Sequence, residues 1–161
     1  MYRKLLLTHD GSELASAAVP HACAIACAMD AEVMLLRVTE SIGQTLARMG
    51  TVSFAPAGAA VAEVAVEEVE RHDREAQQEL EAVKAGLEAA GVRRVTAVVV
   101  EGPAGPTVAD TASQSECDLI VMSTHGRSGL GRALLGSVAE YVARHSDIPV
   151  LLVHASAPQA E

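Results

Sequence analysis

The chain has 161 residues, half of them hydrophobic, and a formal net charge of −9 from 21 acidic and 12 basic side chains. With two tyrosines, one phenylalanine and no tryptophan, its core must be aliphatic. This composition argues against a nucleic-acid-binding surface, which needs a basic patch and, for single strands, aromatic side chains that stack on bases. Three cysteines without a Cys-x-x-Cys spacing predict free thiols and a reducing, cytoplasmic location. Neither a signal peptide nor a membrane span is expected.

Short apolar runs alternate with helical periodicity along the chain. Lys4–Thr8 is predicted to form a buried strand that ends in the turn His9-Asp10-Gly11-Ser12, with Ser12 as the N-cap of a helix. The later predicted elements are a helix at about 13–29, a strand at 32–38, a helix at 60–90 ended by Gly91, a strand at 95–100, a helix from 106 to about 116, a strand at 119–123, a helix at 137–145 and a strand at 150–154.

Two segments fall outside this alternation. Between Glu40 and Gly58, three glycines and Pro56 interrupt both periodicities. We interpret residues 40–58 as a mobile surface insertion, in which 42–49 could form one or two helical turns. Residues 156–161 are predicted to be a frayed tail. The remaining pattern, strand and helix in strict alternation, predicts one domain over residues 1–155 with a parallel sheet and right-handed crossovers.

The most informative stretch is Leu119 to Ser137, in which a strand, a glycine-rich loop and a helix start follow one another. Such an arrangement builds an anion site in parallel α/β proteins, because the first turn of a helix leaves N–H groups unpaired. Two common motifs are excluded. A Walker loop would need a lysine before Ser137, and a dinucleotide fingerprint would follow the first strand. An ordinary capping box, Ser137-x-x-Glu140, is the simpler alternative, and it could coexist with phosphate binding.

The same stretch resembles the nucleotide-binding signature of the universal stress protein family, Gly-x2-Gly-x9-Gly-[Ser/Thr]. In this register Ser123 stands at the first glycine, Gly126 is the second, and Gly136-Ser137 ends the motif. The resemblance covers nearly the whole chain and is weakest over 40–58. It implies a single-domain three-layer α/β/α fold, Rossmann-like, with a five-stranded parallel sheet of order 3-2-1-4-5. Ligands of such sheets bind at the carboxyl edge, where the strand order reverses.

The resemblance also implies site residues. Thr8 and Asp10 would contact the nucleoside, with Asp10 accepting hydrogen bonds from ribose hydroxyls or, alternatively, serving only as a turn residue. Val38 would read the adenine edge through its backbone. The remaining expected contacts lie at the strand end and along the phosphates: Ser123, Gly126, Arg127, Ser128, Gly136, Ser137 and Val138.

These expectations describe a cytoplasmic, nucleotide-dependent regulator in stress response that binds ATP, with any Mg²⁺ or Mn²⁺ held by the phosphates. The protein is not expected to be a turnover enzyme, because His125 has no paired base or nucleophile in the sequence around it. The alternative is a family member that binds no nucleotide and acts as a dimeric interaction protein. An adenylating enzyme is a remote third class. In either main case the apolar edge strand 150–154 is expected to pair with a second copy, giving a homodimer.

Overall fold

The computed structural model describes residues 1–48, 57–125 and 136–155. Within them, five parallel strands form a sheet of order β3-β2-β1-β4-β5, as predicted. The strands are β1 (Lys4–Thr8), β2 (Glu32–Thr39), β3 (Val95–Glu101), β4 (Leu119–His125) and β5 (Val150–Ala155). Leu5, Leu6 and Leu7 of the central strand β1 are fully buried, so the strand is covered on both faces, which is typical of a parallel sheet covered by helices.

In the part of the chain that the structure describes, six helices connect the strands: α1 (Glu13–Ser16), α2 (Val19–Met29), α3 (Ile42–Arg48), α4 (Ala57–Ala89), α5 (Ala104–Gln114) and α6 (Ser137–His145). Leu5 and Leu7 of β1 pack in one hydrophobic cluster with residues of α2 and α4. Leu6 packs in a second cluster with residues of α5 and α6. The alternation of side chains along β1 therefore divides the core into two layers, one on each face of the sheet.

The predicted helix at 13–29 is in fact two helices, α1 and α2, separated at Ala17–Ala18. Pro20 lies at the start of α2 and has no N–H to donate to the carbonyl of Ser16, so a continuous helix would lack that bond. The Ser12 cap is confirmed, because its hydroxyl accepts a hydrogen bond from the Ala15 N–H at 3.1 Å. The break matters for the site, because it leaves α1 as a single turn beside the end of β1.

Within the segment predicted to be irregular, the helical turns expected at 42–49 are present as helix α3, whose Thr45 is buried. Residues 49–56 and the predicted tail at 156–161 lie outside the described residues. The long helix α4 ends at Ala89, and Gly91, with φ of 103°, is its C′ residue as predicted. The Gly91 and Val92 N–H groups bond to the carbonyls of Glu88 and Leu87, both at 3.0 Å, which is a Schellman motif.

Helix α5 begins at Ala104, two residues before the predicted Pro106. Pro106 still lies in the first turn, where a missing N–H costs nothing. The early start brings Gly105 against α6: a Cβ built on Gly105 would lie 2.7 Å from Cγ of Tyr141. Helices α5 and α6 therefore pack more closely than they could if residue 105 had a side chain. In the part of the chain that the structure describes, none of the helices is both long and apolar enough to span a membrane.

Replacing Gly105 by alanine should destabilise the protein by about 1–3 kcal/mol, because the added methyl group overlaps the Tyr141 ring. Urea unfolding followed by circular dichroism measures this change. The matched control is Gly86→Ala in α4, where nothing lies within 4 Å of the added Cβ. There the same substitution should stabilise the protein by about 0.5–1 kcal/mol, because alanine favours the helix. Equal effects at both positions would contradict the close α5–α6 contact.

Candidate functional site

A cleft of about 290 Å³ opens at the carboxyl edge of the sheet. Its floor comes from the ends of β1, β2 and β4, and its walls from the first turns of α5 and α6. The lining residues are Thr8, His9, Asp10, Ala15, Leu36, Val38, Ala104, Val108, Met122, Ser123, Gly136, Ser137, Val138 and Ala139. The cleft thus lies where β1 separates β2 from β4, which is the point at which the strand order reverses.

Val38 presents its backbone to this cleft. In a parallel sheet, the N–H and C=O of one residue both bond to the same neighbouring strand, and the next residue bonds to the other neighbour. The even-numbered residues of β2 bond to β1, as the 2.9 Å bond from the His9 N–H to the Leu36 carbonyl shows, and the odd-numbered residues bond to β3. The register of β1 with β2 ends at the Thr8–Leu36 pair. The N–H and C=O of Val38 therefore point to where β1 would be if it continued. This geometry provides one donor and one acceptor beside an apolar wall.

Asp10 is exposed at the mouth of the cleft and is held by the next turn. Its Oδ1 accepts hydrogen bonds from both the N–H and the hydroxyl of Ser12, at 3.0 and 2.6 Å. Burial works against the charge, but these two bonds outweigh it and lower the pKa of Asp10 below its usual value. Asp10 is therefore an ionised carboxylate in a fixed orientation. Its bonds to Ser12 make Asp10 a turn residue, and its place in the cleft lining also puts it within reach of a ligand.

The N-terminus of α6 forms the opposite wall. Its N-cap is Gly136, with φ of −60° and ψ of 152°, and no side chain caps the helix. Ser137 is already the first helical residue, so the capping-box alternative, with Ser137 as cap, is wrong. Because the cap is a glycine, no side-chain oxygen competes with a ligand for the first-turn N–H groups. Ser137 and Val138 lie at this end and line the cleft.

Ser123 lies within β4, and its backbone is extended rather than left-handed. Serine is therefore unstrained at the position of the motif's first glycine. Ser123 lines the cleft, as does Thr8. The expected contacts Gly126, Arg127 and Ser128 lie outside the described residues. The structure accordingly brings together seven of the ten expected residues: Thr8, Asp10, Val38, Ser123, Gly136, Ser137 and Val138.

Sequence reasoning did not single out the first turn of α5. Ala104 and Val108 line the cleft beside Val38 and Met122, and they make one side of it apolar. The breakers Gly102 and Pro103 were a usable signal, because a loop after β3 must open at the same edge of the sheet as the loops after the other strands. What the sequence did not show is that α5 starts early enough to reach the cleft.

The family model "Universal stress protein family" matches residues 1–154. The chain belongs to the universal stress protein family. It is 35% identical over 154 residues to the universal stress protein MJ0531 of Methanocaldococcus jannaschii, covering 95% of this chain and 82% of that one. It is also 33% identical over 158 residues to MJ0577 of the same organism, covering 95% of each chain.

Solved structures of universal stress proteins agree with this fold. The structure of MJ0577 superposes with a TM-score of 0.77 at 30% identity, covering 98% of this chain and 99% of that one. A universal stress protein crystallised in complex with cAMP gives a TM-score of 0.66 at 25% identity, covering 96% and 98%. This universal stress protein therefore shares its fold with MJ0577 and with the relative crystallised with cAMP.

Replacing Ser12 by alanine should raise the pKa of Asp10 toward its ordinary value of 3.8, because one of its two Ser12 hydrogen bonds is lost. Carbon-13 NMR titration of the Asp10 carboxyl measures this shift. The same change removes the α1 cap and should lower the unfolding free energy by about 1 kcal/mol. The control, Ser113→Ala on the exposed side of α5, should change neither quantity. An unshifted Asp10 titration in the Ser12 variant would contradict the Oδ1 contacts.

Proposed function

We propose that this universal stress protein is a cytoplasmic ATP-binding regulator of stress response, whose ligand occupies the cleft between the ends of β1 and β4. The observation that carries the proposal is the pairing of an uncapped helix N-terminus with unpaired strand-end backbone in one cleft. The family membership and the relative in complex with cAMP support an adenine nucleotide as the ligand class.

The apolar side of the cleft suits a purine base. Leu36, Val108 and Met122 offer aliphatic and thioether surface on which a flat ring can pack. The N–H and C=O of Val38 would then bond the adenine edge, which presents an acceptor and an amino donor side by side. A guanine edge presents a carbonyl in place of the amino group, so this backbone pair favours adenine.

The polar side of the cleft suits ribose and phosphates. Asp10 is ionised and accepts hydrogen bonds only, which matches the donor hydroxyls of a ribose. The α6 N-terminus carries a partial positive charge and would stabilise phosphate oxygens, with Gly136 permitting close approach and the Ser137 hydroxyl adding a donor. In the described ranges, no cluster of three metal-ligating side chains occurs, so Mg²⁺ or Mn²⁺ would be held by the phosphates and water.

We propose binding rather than turnover as the activity. Among the described residues that line the cleft, the titratable side chains are Asp10 and His9, and both ring nitrogens of His9 are engaged by Gly11 and Ser16. The hydroxyls beside them serve the turn and the helix start: that of Ser12 caps α1 and that of Ser16 donates to the Ser12 carbonyl, so we assign neither as a nucleophile. The competing function, a dimeric interaction protein that binds no nucleotide, is distinguished by the binding experiment below.

Titration calorimetry with ATP and magnesium should give a dissociation constant of about 1 μM or tighter for the wild-type protein. Asp10→Asn removes the carboxylate and should weaken binding about tenfold or more, because a charged hydrogen-bond acceptor is lost. The matched control is Asp30→Asn, which removes the same charge at the C-cap of α2, where φ is 54° and asparagine fits. It should leave the affinity unchanged. No heat with the wild type, and no ATP in mildly purified protein, would favour the alternative function.

We also propose a homodimer built on β5. This strand is one edge of the sheet, and it carries neither lysine nor an internal proline. The even residues of β4 bond to β5, as the Ile120 N–H to Pro149 carbonyl bond of 2.9 Å shows. Leu151 therefore donates inward to β4, and the N–H of Leu152 points outward from the edge. The outward groups of a second β5 could pair with them across a two-fold axis.

Leu152→Pro should convert the dimer to monomer, because it removes an outward donor while keeping the ladder to β4. Light scattering at tens of micromolar protein measures the mass of the assembly. The control is Val99→Pro on β3, the opposite edge, where the Val99 N–H also points outward. This variant should remain dimeric. A wild-type monomer, or monomers from both variants, would defeat the β5 interface.

A further inference from the structure

His9 is a buried histidine next to the cleft, and its ring lies on the opposite face of the sheet. His9 follows Thr8, so strand alternation directs its ring to the opposite face of the sheet from Thr8, toward α1 and α4. The residue is only 6% exposed. Its backbone N–H is bonded to the Leu36 carbonyl, which fixes the residue at the end of β1. The side chain thus lies directly behind the loop that presents Asp10.

Both ring nitrogens of His9 have assigned roles. The Gly11 N–H donates to Nδ1 at 3.1 Å, so Nδ1 must be unprotonated. Nε2 lies 3.2 Å from Oγ of Ser16, and that hydroxyl donates to the Ser12 carbonyl at 3.4 Å. Oγ can therefore accept only from Nε2–H. These contacts hold the ring in one neutral tautomer, with the proton on Nε2.

We propose that His9 is the positioning residue for Asp10: as a neutral ring it closes the Asp10–Ser12 turn, and its protonation opens that turn and weakens nucleotide binding. This inference rests on the proposed function and adds a regulation to it. Protonation would place a hydrogen on Nδ1 facing the Gly11 N–H, so two donors would oppose each other. Gly11 would have to move, and Ser12, whose N–H and hydroxyl hold Asp10, would move with it.

The surroundings of Gly11 restrict the direction in which it can move. Its φ is 84°, and a Cβ built on it would lie 2.7 Å from Nη1 of Arg37, which forms an ion pair with Glu79. The turn is therefore enclosed by His9 on one side and by the Arg37–Glu79 pair on the other. Opening the turn must displace it toward the cleft, since that is its open side.

The charges around His9 set the pH at which it takes up a proton. Burial lowers the pKa of His9 below the ordinary 6.5; Asp10 opposes this, Arg37 of β2 adds to it and Glu79 of α4 opposes it. The folded protein thus favours the neutral ring, and the unfolded chain binds the proton first as pH falls. The contribution of neutral His9 to the free energy of unfolding is fully present above pH 6.5. It is lost as the pH falls from 6.5 to the lower pKa that His9 has in the folded protein.

The test compares two substitutions of His9. His9→Asn places an amide oxygen where Nδ1 was, so it can accept from Gly11 but does not titrate. His9→Phe keeps the ring volume and removes the acceptor. At about pH 7.5, the Asn variant should bind Mg-ATP within about threefold of wild type, and the Phe variant about tenfold or more weakly. Urea unfolding of both variants shows whether any loss of binding merely follows a loss of folding.

Regulation is tested by repeating the titrations at about pH 5.5, where an ordinary histidine is charged. Because the pKa of His9 in the folded protein lies below 6.5, wild-type affinity should fall about two- to threefold more than that of His9→Asn at this pH, and the difference should widen as the pH is lowered further. Protonation of ATP itself affects both proteins equally. Parallel pH profiles for the two proteins would overturn the inference. So would Phe-variant binding equal to wild type.

A ligand-independent measurement separates this inference from the proposed function. The hydrogen-exchange protection factor of the Gly11 amide should fall on acidification in the wild type and stay constant in His9→Asn. If Gly11 behaves so but no ATP binds at neutral pH, the proposed function fails and the closing of the turn by His9 stands. If ATP binds and Gly11 protection is independent of pH in both proteins, the proposed function stands and the inference fails.

Discussion

The early end of β1 is the constraint on which the site depends. β1 stops at Thr8, whereas β2 continues to Thr39 and β4 to His125 on either side of it. In a parallel sheet, each strand satisfies the backbone groups of its neighbours, so a short central strand leaves donors and acceptors of the longer ones unmatched. Those groups face a cleft rather than solvent because α5 and α6 cover the same face of the sheet.

Small residues then determine how closely the cleft walls approach. Gly105 lets α5 pack against the Tyr141 ring of α6, and Gly136 leaves the α6 N-terminus without a side-chain cap. Gly11 has a left-handed backbone, which lets the chain turn sharply away from β1 beneath Arg37 and Glu79. Each glycine serves a different physical need: close helix contact, access to backbone N–H groups, and positive φ.

Polar groups at the end of β1 are divided between the two faces of the sheet. Asp10 faces the cleft as a carboxylate held by Ser12, and His9 faces the α4 side as a buried neutral ring. The two are linked through Gly11, which bonds to His9 and precedes Ser12. A change in the charge of His9 on one face of the sheet can therefore shift Asp10 on the other face through Gly11 and Ser12, without any larger movement of the fold.

The sequence by itself determined the strands, their order of appearance, the Ser12 cap and the Gly91 helix end, because these follow from local periodicity and from residues with special backbone preferences. The resemblance to the family located seven residues that the structure gathers around one cleft. Only the tertiary structure decided that Gly136 rather than Ser137 caps α6, that α5 reaches the cleft, and that His9 holds the turn beside Asp10. These depend on distances between segments far apart in the chain, on which strand ends first, and on burial, none of which a local pattern encodes.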